Sequence, residues 1–273
     1  MINGVAVNTS NSRQLNFALL DAVEYVRIED VRRLLDLGAS VKARNRFGNT
    51  ALLLAAQKGH LNIMQLLLGA GSDIHHQNLA GNTALFQATR ARRRKAVKYL
   101  LASKAKVNVA NRQQLTPLIA AAYNGDRKTV QLLLSHGADP TLTDKTGKTA
   151  LVYASGKGFS KIVGLLLDTG IETSIRYGNE LTILMWAAGH SNDVPSQAAL
   201  KTVKLILSKG ANPDLVDKRG QTALMIAAEM RHLSIVEHLL GIGAMDDVRD
   251  LEGRTALDLA ESENHADVAK LLR

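Results

Sequence analysis

The spacing of threonines constrains the fold of this chain more than any other feature. Seven threonines recur at intervals of 33, 33, 33, 33, 40 and 33 residues: Thr50, Thr83, Thr116, Thr149, Thr182, Thr222 and Thr255. A similar phrase follows most of them, for example TALLLAAQKGH at Thr50 and TPLIAAAYNGD at Thr116. A fixed period of this length is typical of stacked repeats, which offer a long surface and by default no deep catalytic pocket. The spacing therefore predicts a repeat array that acts first as a binder.

The residues inside one period predict two short helices. Thr50 can cap the first helix by accepting a hydrogen bond from its free N–H groups, and Pro117 suits the first position of an equivalent helix. Gly59 favours a left-handed end for the first helix, and apolar residues then recur at helical spacing. Because helices this short are marginal alone, packing between neighbouring repeats must stabilise them.

The phrase, the period and a closing LLL-x-x-G-A pattern, as in VQLLLSHGADP, together resemble the ankyrin repeat family. The resemblance covers roughly residues 13 to 273. It implies an all-α ankyrin repeat solenoid of about eight helix-turn-helix units with short β-hairpin loops. The chain departs from the family in two ways: Pro follows the threonine only at Pro117, and the family's His two residues later is replaced in every repeat. These departures indicate a divergent, bacterial-type branch.

The repeat register also predicts the domain organisation. We expect a disordered tail at residues 1–12, an N-terminal capping unit at 13–47, six repeats at 48–252 and a C-terminal capping unit at 253–273. Terminal units differ from the others because one of their faces meets water. The single long interval places an insertion at 193–199, and insertions in repeat proteins fall on loops.

Composition excludes several classes of protein. The chain has no cysteine, which excludes disulfides, thiolate zinc sites and thiol catalysis. No apolar run reaches the roughly 18 residues that a membrane span needs, and the first residues show no signal peptide. Neither G-x-S-x-G, nor H-E-x-x-H, nor a phosphate-binding glycine loop is present. We therefore expect no enzyme activity, no cofactor, no metal site and no small-molecule substrate.

The positive charge is unevenly distributed. Residues 1–137 hold 19 Lys and Arg against 7 Asp and Glu, whereas residues 138–273 hold 15 against 18. Such a field speeds encounter with acidic partners. A basic cluster, defined as Arg90, Arg92, Arg93, Arg94, Lys95 and Lys98, is the sharpest local signal. It predicts a dock for an acidic protein surface or for phosphates, with an ordinary solvated turn as the alternative. Nucleic acid is disfavoured because no aromatic residues interleave with the arginines.

The family resemblance implies where a partner would bind, namely the hairpin residues and the last turn of each first helix. Protein interfaces favour aromatic, Met and Arg side chains, although each such residue could also be an ordinary exposed side chain. The predicted partner-binding residues are Arg44, Arg46, Phe47, Lys58, Leu79, Arg90, Arg92, Arg93, Arg94, Arg112, Leu115, Tyr123, Tyr177, His190 and Met230. Trp186 occupies the repeat position of Leu54 and is predicted to lie in the core.

The predicted function is non-catalytic binding of a partner protein, with an acidic surface, on the concave face. A narrower hypothesis is an inhibitor or immunity-type protein that blocks a bacterial periplasmic or secreted enzyme, since absent cysteine is more common in oxidising compartments. One alternative is a cytoplasmic scaffold or host-directed bacterial effector. Another is phosphate or nucleic-acid binding by the basic cluster at Arg90–Lys98. A periplasmic location is expected if a signal peptide was removed, and a cytoplasmic one otherwise.

Overall fold

Threonine caps begin the first helix of the repeats, as the spacing predicts. In six of the seven cases the threonine hydroxyl oxygen accepts a hydrogen bond from the backbone N–H three residues later: Thr83, Thr116, Thr149, Thr182, Thr222 and Thr255. Each cap satisfies one of the N–H groups that the first helical turn leaves free. Thr50 is the exception, because its Oγ1 is buried without a hydrogen-bond partner among the described residues.

The computed structural model describes residues 9–191 and 193–273, which form sixteen α-helices and no strands. The chain divides into two compact units, Met1–Asp139 and Pro140–Arg273. The predicted all-α fold with about eight helix pairs is confirmed. The loops predicted as β-hairpins are tight turns, each closed by a backbone hydrogen bond such as that from the Asn45 N–H to the Asn49 carbonyl, at 3.0 Å.

The first unit contains four helix pairs. They are α1 (Thr9–Glu24) and α2 (Ile28–Asp36), α3 (Ala51–Lys58) and α4 (Leu61–Gly69), α5 (Ala84–Arg90) and α6 (Arg94–Ala102), and α7 (Pro117–Tyr123) and α8 (Arg127–Leu134). The first helix of each pair packs on the first helix of the next, and the second helices pack in the same way. Leu52, Ile63, Leu67, Leu85 and Leu100 are fully buried between them. Burial of one such side chain stabilises the fold by about 1.5–3 kcal/mol, which holds helices that would not persist alone.

The second unit repeats this arrangement. Its helices are α9 (Ala150–Gly156), α10 (Ser160–Leu167), α11 (Ile183–Ala188), α12 (Ser196–Ser208), α13 (Ala223–Glu229), α14 (Leu233–Gly241), α15 (Ala256–Ser262) and α16 (Ala266–Leu272). The hairpin before α11 also contains a short 3₁₀ turn, Gly178–Glu180. In this unit too, first helices pack on first helices and second helices on second helices.

The insertion predicted at 193–199 mostly lengthens a helix. Its last four residues form the first turn of α12, which at 13 residues is the longest second helix of the molecule's described part. Val194 and Ala199 are buried, and Val194 packs closely against the backbone of Gly158 in the preceding repeat. The expectation that the insertion falls on a loop therefore holds only for the residues before Ser196, because the others form a helical turn in which Ala199 is buried.

The disordered tail predicted at 1–12 lies largely outside the described residues. Its last four residues do not fit that prediction, because α1 begins at Thr9. Serine, threonine and asparagine at this point favour a helix start as readily as a loop. The boundaries of the capping units and of the six repeats remain predictions.

The turn between the two helices of a repeat requires a left-handed residue. Gly59 and Gly125 take φ values of 83° and 68° there, as glycine does without steric cost. Arg92, Arg231 and Val26 occupy the same turn in other repeats, with φ values of 58°, 58° and 61°. The backbone path is therefore kept even where the glycine is lost, at a cost of about 1–2 kcal/mol per residue.

Candidate functional site

The hairpin loops are held rigid by their own first residue. In six of the seven hairpins that precede the capping threonines, an Asn or Asp Oδ1 accepts hydrogen bonds from the N–H groups two and four residues later: Asn45, Asn78, Asn111, Asp144, Asp217 and Asp250. Short polar side chains that bond the nearby backbone are typical of tight turns. Tyr177 takes this position in the remaining hairpin, which instead forms the 3₁₀ turn.

Neighbouring hairpins of the first unit are also tied to one another. The Leu79 N–H donates to the Phe47 carbonyl at 3.1 Å. The Asn78 side chain donates to Asn49 Oδ1 at 2.7 Å, and that of Asn111 donates to Asn82 Oδ1 at 3.0 Å. Loops fixed in this way present their side chains in one arrangement before any partner arrives, which reduces the ordering cost of binding.

A groove of about 790 Å³ runs between these hairpins and helices α1, α3 and α5 of the first unit. Three large apolar side chains at the groove are exposed to solvent: Phe17 by 76%, Phe47 by 55% and Leu79 by 59%. The floor includes Leu54 and Gln87 from the first helices. Exposed apolar groups gathered at one concave place, rather than scattered singly, mark an interaction site.

Cations edge the groove on the side of Phe17 and Phe47. Arg13, Arg44 and Arg46 line an adjoining depression and form no ion pair with a described residue. The Arg46 guanidinium lies over the Phe47 ring, 4.7 Å from its centroid. The acidic groups of α1 at the groove are neutralised, since Asp21 pairs with Arg27 and Glu24 pairs with Lys58. The unpaired charge at this edge is therefore positive.

The structure separates the predicted basic cluster into structural and free members. Arg94 Nη2 lies 2.7 Å from Asp126 Oδ1, and the Asp126 carboxylate is buried at the start of α8. Burial raises the pKa of Asp126, but hydrogen bonds from Arg94 and Thr129 outweigh it and hold the pKa below its ordinary value. Arg94 thus stabilises the fold by keeping a buried carboxylate paired.

The other members of the basic cluster also differ in whether their side chains bind another residue of the protein. Arg93 donates to the Gln57 carbonyl at 3.2 Å and its side chain covers Gly59. Arg90 donates to Gln87 at 3.0 Å while remaining exposed. The side chain of Arg92, together with Lys95 and Lys98, is exposed and makes no hydrogen bond or ion pair with a described residue. These three are the members free to meet a partner.

The other predicted partner-binding residues lie in both units. Arg112 and Tyr123 are exposed in the first unit, Leu115 is partly buried, and Lys58 is paired with Glu24. In the second unit Met230 is exposed. Tyr177 is partly buried, and burial raises the pKa of its hydroxyl against an opposing hydrogen bond with Thr149.

The prediction that His190 lies at the surface is wrong. It is only 5% exposed, and its ring stacks on that of His232 with centroids 3.7 Å apart. His190 Nδ1 bonds the Ser191 carbonyl, and His232 Nδ1 bonds the Ala188 carbonyl at 2.6 Å. The physical reason is the stacking contact, because the His232 ring of the next repeat covers one face of the His190 ring.

The exposure of two aromatic residues was not predicted from the sequence. Phe17, the most exposed aromatic side chain at the groove, was not among the predicted residues because α1 lacks the threonine phrase that sets the register. Trp186 was predicted as core, yet it is only partly buried, and the Lys148 ammonium lies over its ring. The equivalence of Trp186 with Leu54, which lines the groove of the first unit, was the signal that could have placed its side chain partly at the surface.

No cluster of metal-ligating side chains occurs among the described residues. None of the described helices combines the length and apolar character that a membrane crossing requires.

Paired short helices with rigid, tied hairpins define a helical repeat scaffold in each unit. The family model for ankyrin repeats (3 copies) matches residues 19–111, 52–144, 118–196 and 184–273. The chain therefore belongs to the ankyrin repeat family. Ankyrin repeats indicate a protein–protein interaction module, and the family is typically non-catalytic. Comparison with the curated proteins gives no significant match.

Proposed function

We propose that the first unit binds a partner protein with an acidic surface in the groove formed by α1, α3, α5 and their hairpins, without catalysis. The carrying observation is the gathering of Phe17, Phe47 and Leu79, each more than half exposed, around one groove with an unpaired cationic edge. Aromatic and Arg side chains are the residues that most often dominate binding energy.

The free energies of the two kinds of contact indicate that the apolar side chains, rather than the charges, supply most of the affinity. Burying a large apolar side chain contributes about 1.5–3 kcal/mol, so the three residues together can supply several kilocalories. The exposed arginines contribute mainly to the rate of encounter and to orientation, because charges at an interface rim are largely screened. A partner with acidic residues around an apolar protrusion fits both properties.

The narrower hypothesis is that the partner is an enzyme whose active site is covered by this protein, in a bacterial periplasm or outside the cell. The lack of cysteine and the basic first half of the chain support it. Its test is the activity of the captured partner with and without the ankyrin protein. An enzyme that keeps its full rate in the complex would contradict inhibition and leave a scaffold.

The groove itself is tested by variants of a defined complex. The partner is first recovered from the source cells with the full chain, identified and purified, and its affinity is measured by calorimetry. We expect Phe47→Ala and Leu79→Ala each to weaken binding by about tenfold or more, which is 1.4 kcal/mol. Leu251→Ala is the matched control, because Leu251 has the same hairpin position as Leu79 but lies in the second unit and is also exposed. Unchanged affinity of both groove variants would contradict the proposal.

A further inference from the structure

In the second unit, aromatic residues occupy the repeat positions that line the groove in the first unit. Leu54 and Gln87 face that groove from α3 and α5, and Asn49 and Asn82 face it from the hairpins. Two and three periods after Gln87, the helix position holds Tyr153 in α9 and Trp186 in α11. Two periods after Asn82, the hairpin position holds Lys148.

Lys148 rests on both rings without a counter-ion. Its Nζ lies 4.9 Å from the centroid of the Trp186 ring and 5.8 Å from that of Tyr153. No carboxylate among the described residues lies within ion-pair distance of this ammonium. A cation over two ring faces gains about 0.5–1 kcal/mol from each contact at an exposed site, which holds Lys148 in place but leaves its charge uncompensated.

The nearest hairpin carboxylate is already occupied. Asp144 is buried; its Oδ2 accepts the Tyr153 hydroxyl at 2.6 Å, and its Oδ1 accepts the Thr146 and Lys148 backbone N–H groups. These bonds fix the Tyr153 ring and the hairpin that carries Lys148. The ammonium is therefore held by rigid neighbours, so that little side-chain freedom remains to be lost when it meets an anion.

Two glycines follow the ring-bearing positions of the second unit. The helix position three residues after the ring-bearing one holds Gln57, Arg90 and Tyr123 in the first unit. In the second unit it holds Gly156 after Tyr153 and Gly189 after Trp186. These two positions therefore contribute no side chain, and Tyr153, Trp186 and Lys148 all remain partly exposed.

We propose that Lys148, Tyr153 and Trp186 form a second contact site, in the second unit, that binds an Asp or Glu side chain of a protein partner together with an apolar neighbour of that residue. The carboxylate pairs with the Lys148 ammonium, and the apolar neighbour packs on the rings. This site goes beyond the proposed groove, which belongs to the first unit and contains none of these residues.

Trp186 provides a direct readout, because it is the chain's single tryptophan. The probe is an amide-capped pentapeptide of alternating glutamate and leucine, compared with counterparts in which glutamine or lysine replaces glutamate. We expect a saturable change in Trp186 emission with the glutamate peptide, and at least about tenfold weaker binding of the glutamine peptide. The emission reports the second unit alone, so its result is independent of the Phe47 and Leu79 variants.

Variants of Lys148 decide the assignment. Lys148→Met keeps the length and apolar contact but removes the charge, and Lys148→Gln keeps a polar end; circular dichroism and the melting temperature check that both are folded. Both should lose the response to the glutamate peptide, while Lys145→Met, at an exposed lysine of the same hairpin, should keep it. A retained response in both Lys148 variants, a preference for the lysine peptide, or no response to millimolar glutamate peptide would each overturn the proposal.

Discussion

At the scale of single residues, Thr50 and Thr83 form a natural matched pair. Thr83 caps α5 through a 3.2 Å bond from the Phe86 N–H, whereas the equivalent Thr50 oxygen is buried and unpaired. We therefore expect Thr83→Val to lower the free energy of unfolding by about 1 kcal/mol, as the loss of an N-cap does. Thr50→Val should be neutral or stabilising, because it removes an unsatisfied buried oxygen without changing the side-chain shape. Chemical denaturation of both variants measures this difference, and equal losses would contradict it.

Sequence reasoning reached the pattern of these residues better than their individual contacts. The period identified the capping position in every repeat, because capping follows from residue type and place. It could not distinguish Thr50 from Thr83, since the two residues are of the same type at the same repeat position and differ only in whether the hydroxyl oxygen meets the N–H three residues later. Likewise, Arg92 could be seen to replace Gly59, but only the structure gives its φ of 58° and so the retained left-handed turn.

At the scale of elements, the sequence identified the helices and misjudged what joins them. The 33-residue period located the helix pairs, whereas the insertion at 193–199 was expected as a loop and mostly extends α12. The burial of His190 against the His232 ring also could not be read from the spacing. The Arg94–Asp126 pair was also missed, although residues about one period apart lie on neighbouring repeats. That relation was available in the sequence and would have removed Arg94 from the free cations.

The stacked rings of His190 and His232 predict that the stability of the fold depends on pH. Burial lowers the pKa of His232; the Ala188 carbonyl opposes this effect, and the nearby His190 adds to it. Since a carbonyl only accepts, His232 donates from Nδ1, and its buried Nε2 has no described partner for a second proton. Lys157 and Asp193 are the charged groups that act near this end of α11. The neutral ring is therefore the folded form.

The sign of the pH dependence follows from that lowered pKa. The unfolded chain binds a proton at His232 near pH 6.5, where the folded chain does not, so stability is lost as the pH falls below about 6.5. His232→Asn keeps an N–H that can reach the Ala188 carbonyl and removes the titration. We expect its melting temperature to fall less between pH 7.5 and pH 5 than that of the wild type. His75→Asn, at an exposed histidine, is the control and should follow the wild type. Parallel curves for all three proteins would rule this assignment out.

At the scale of the whole molecule, the excess of positive charge and the groove with its exposed apolar side chains lie in the same part of the chain. Residues 1–137 carry a large excess of Lys and Arg over Asp and Glu, whereas residues 138–273 carry a small acidic excess. The first unit also contains the groove with Phe17, Phe47 and Leu79. The second unit contributes the ring-bound Lys148 instead. A long-range field that attracts an acidic partner to the first unit and short-range contacts that retain it there are complementary, because salt screens only the former.

Arg92 is exposed and unpaired, whereas Arg94 pairs with Asp126, so we expect charge reversal at these two arginines to have different effects. Arg92→Glu reverses an exposed, unpaired charge, so we expect a several-fold slower association rate at low salt, little change at high salt and an unchanged melting temperature. Arg94→Glu should instead lower the melting temperature, because it leaves the buried Asp126 carboxylate beside a second negative charge. Lys201→Glu, at an exposed position of α12, controls for net charge. Stopped-flow association at several salt concentrations measures the rates. If Arg92→Glu and wild type associate equally fast at low salt, the exposed members of the basic cluster are only a solvated turn.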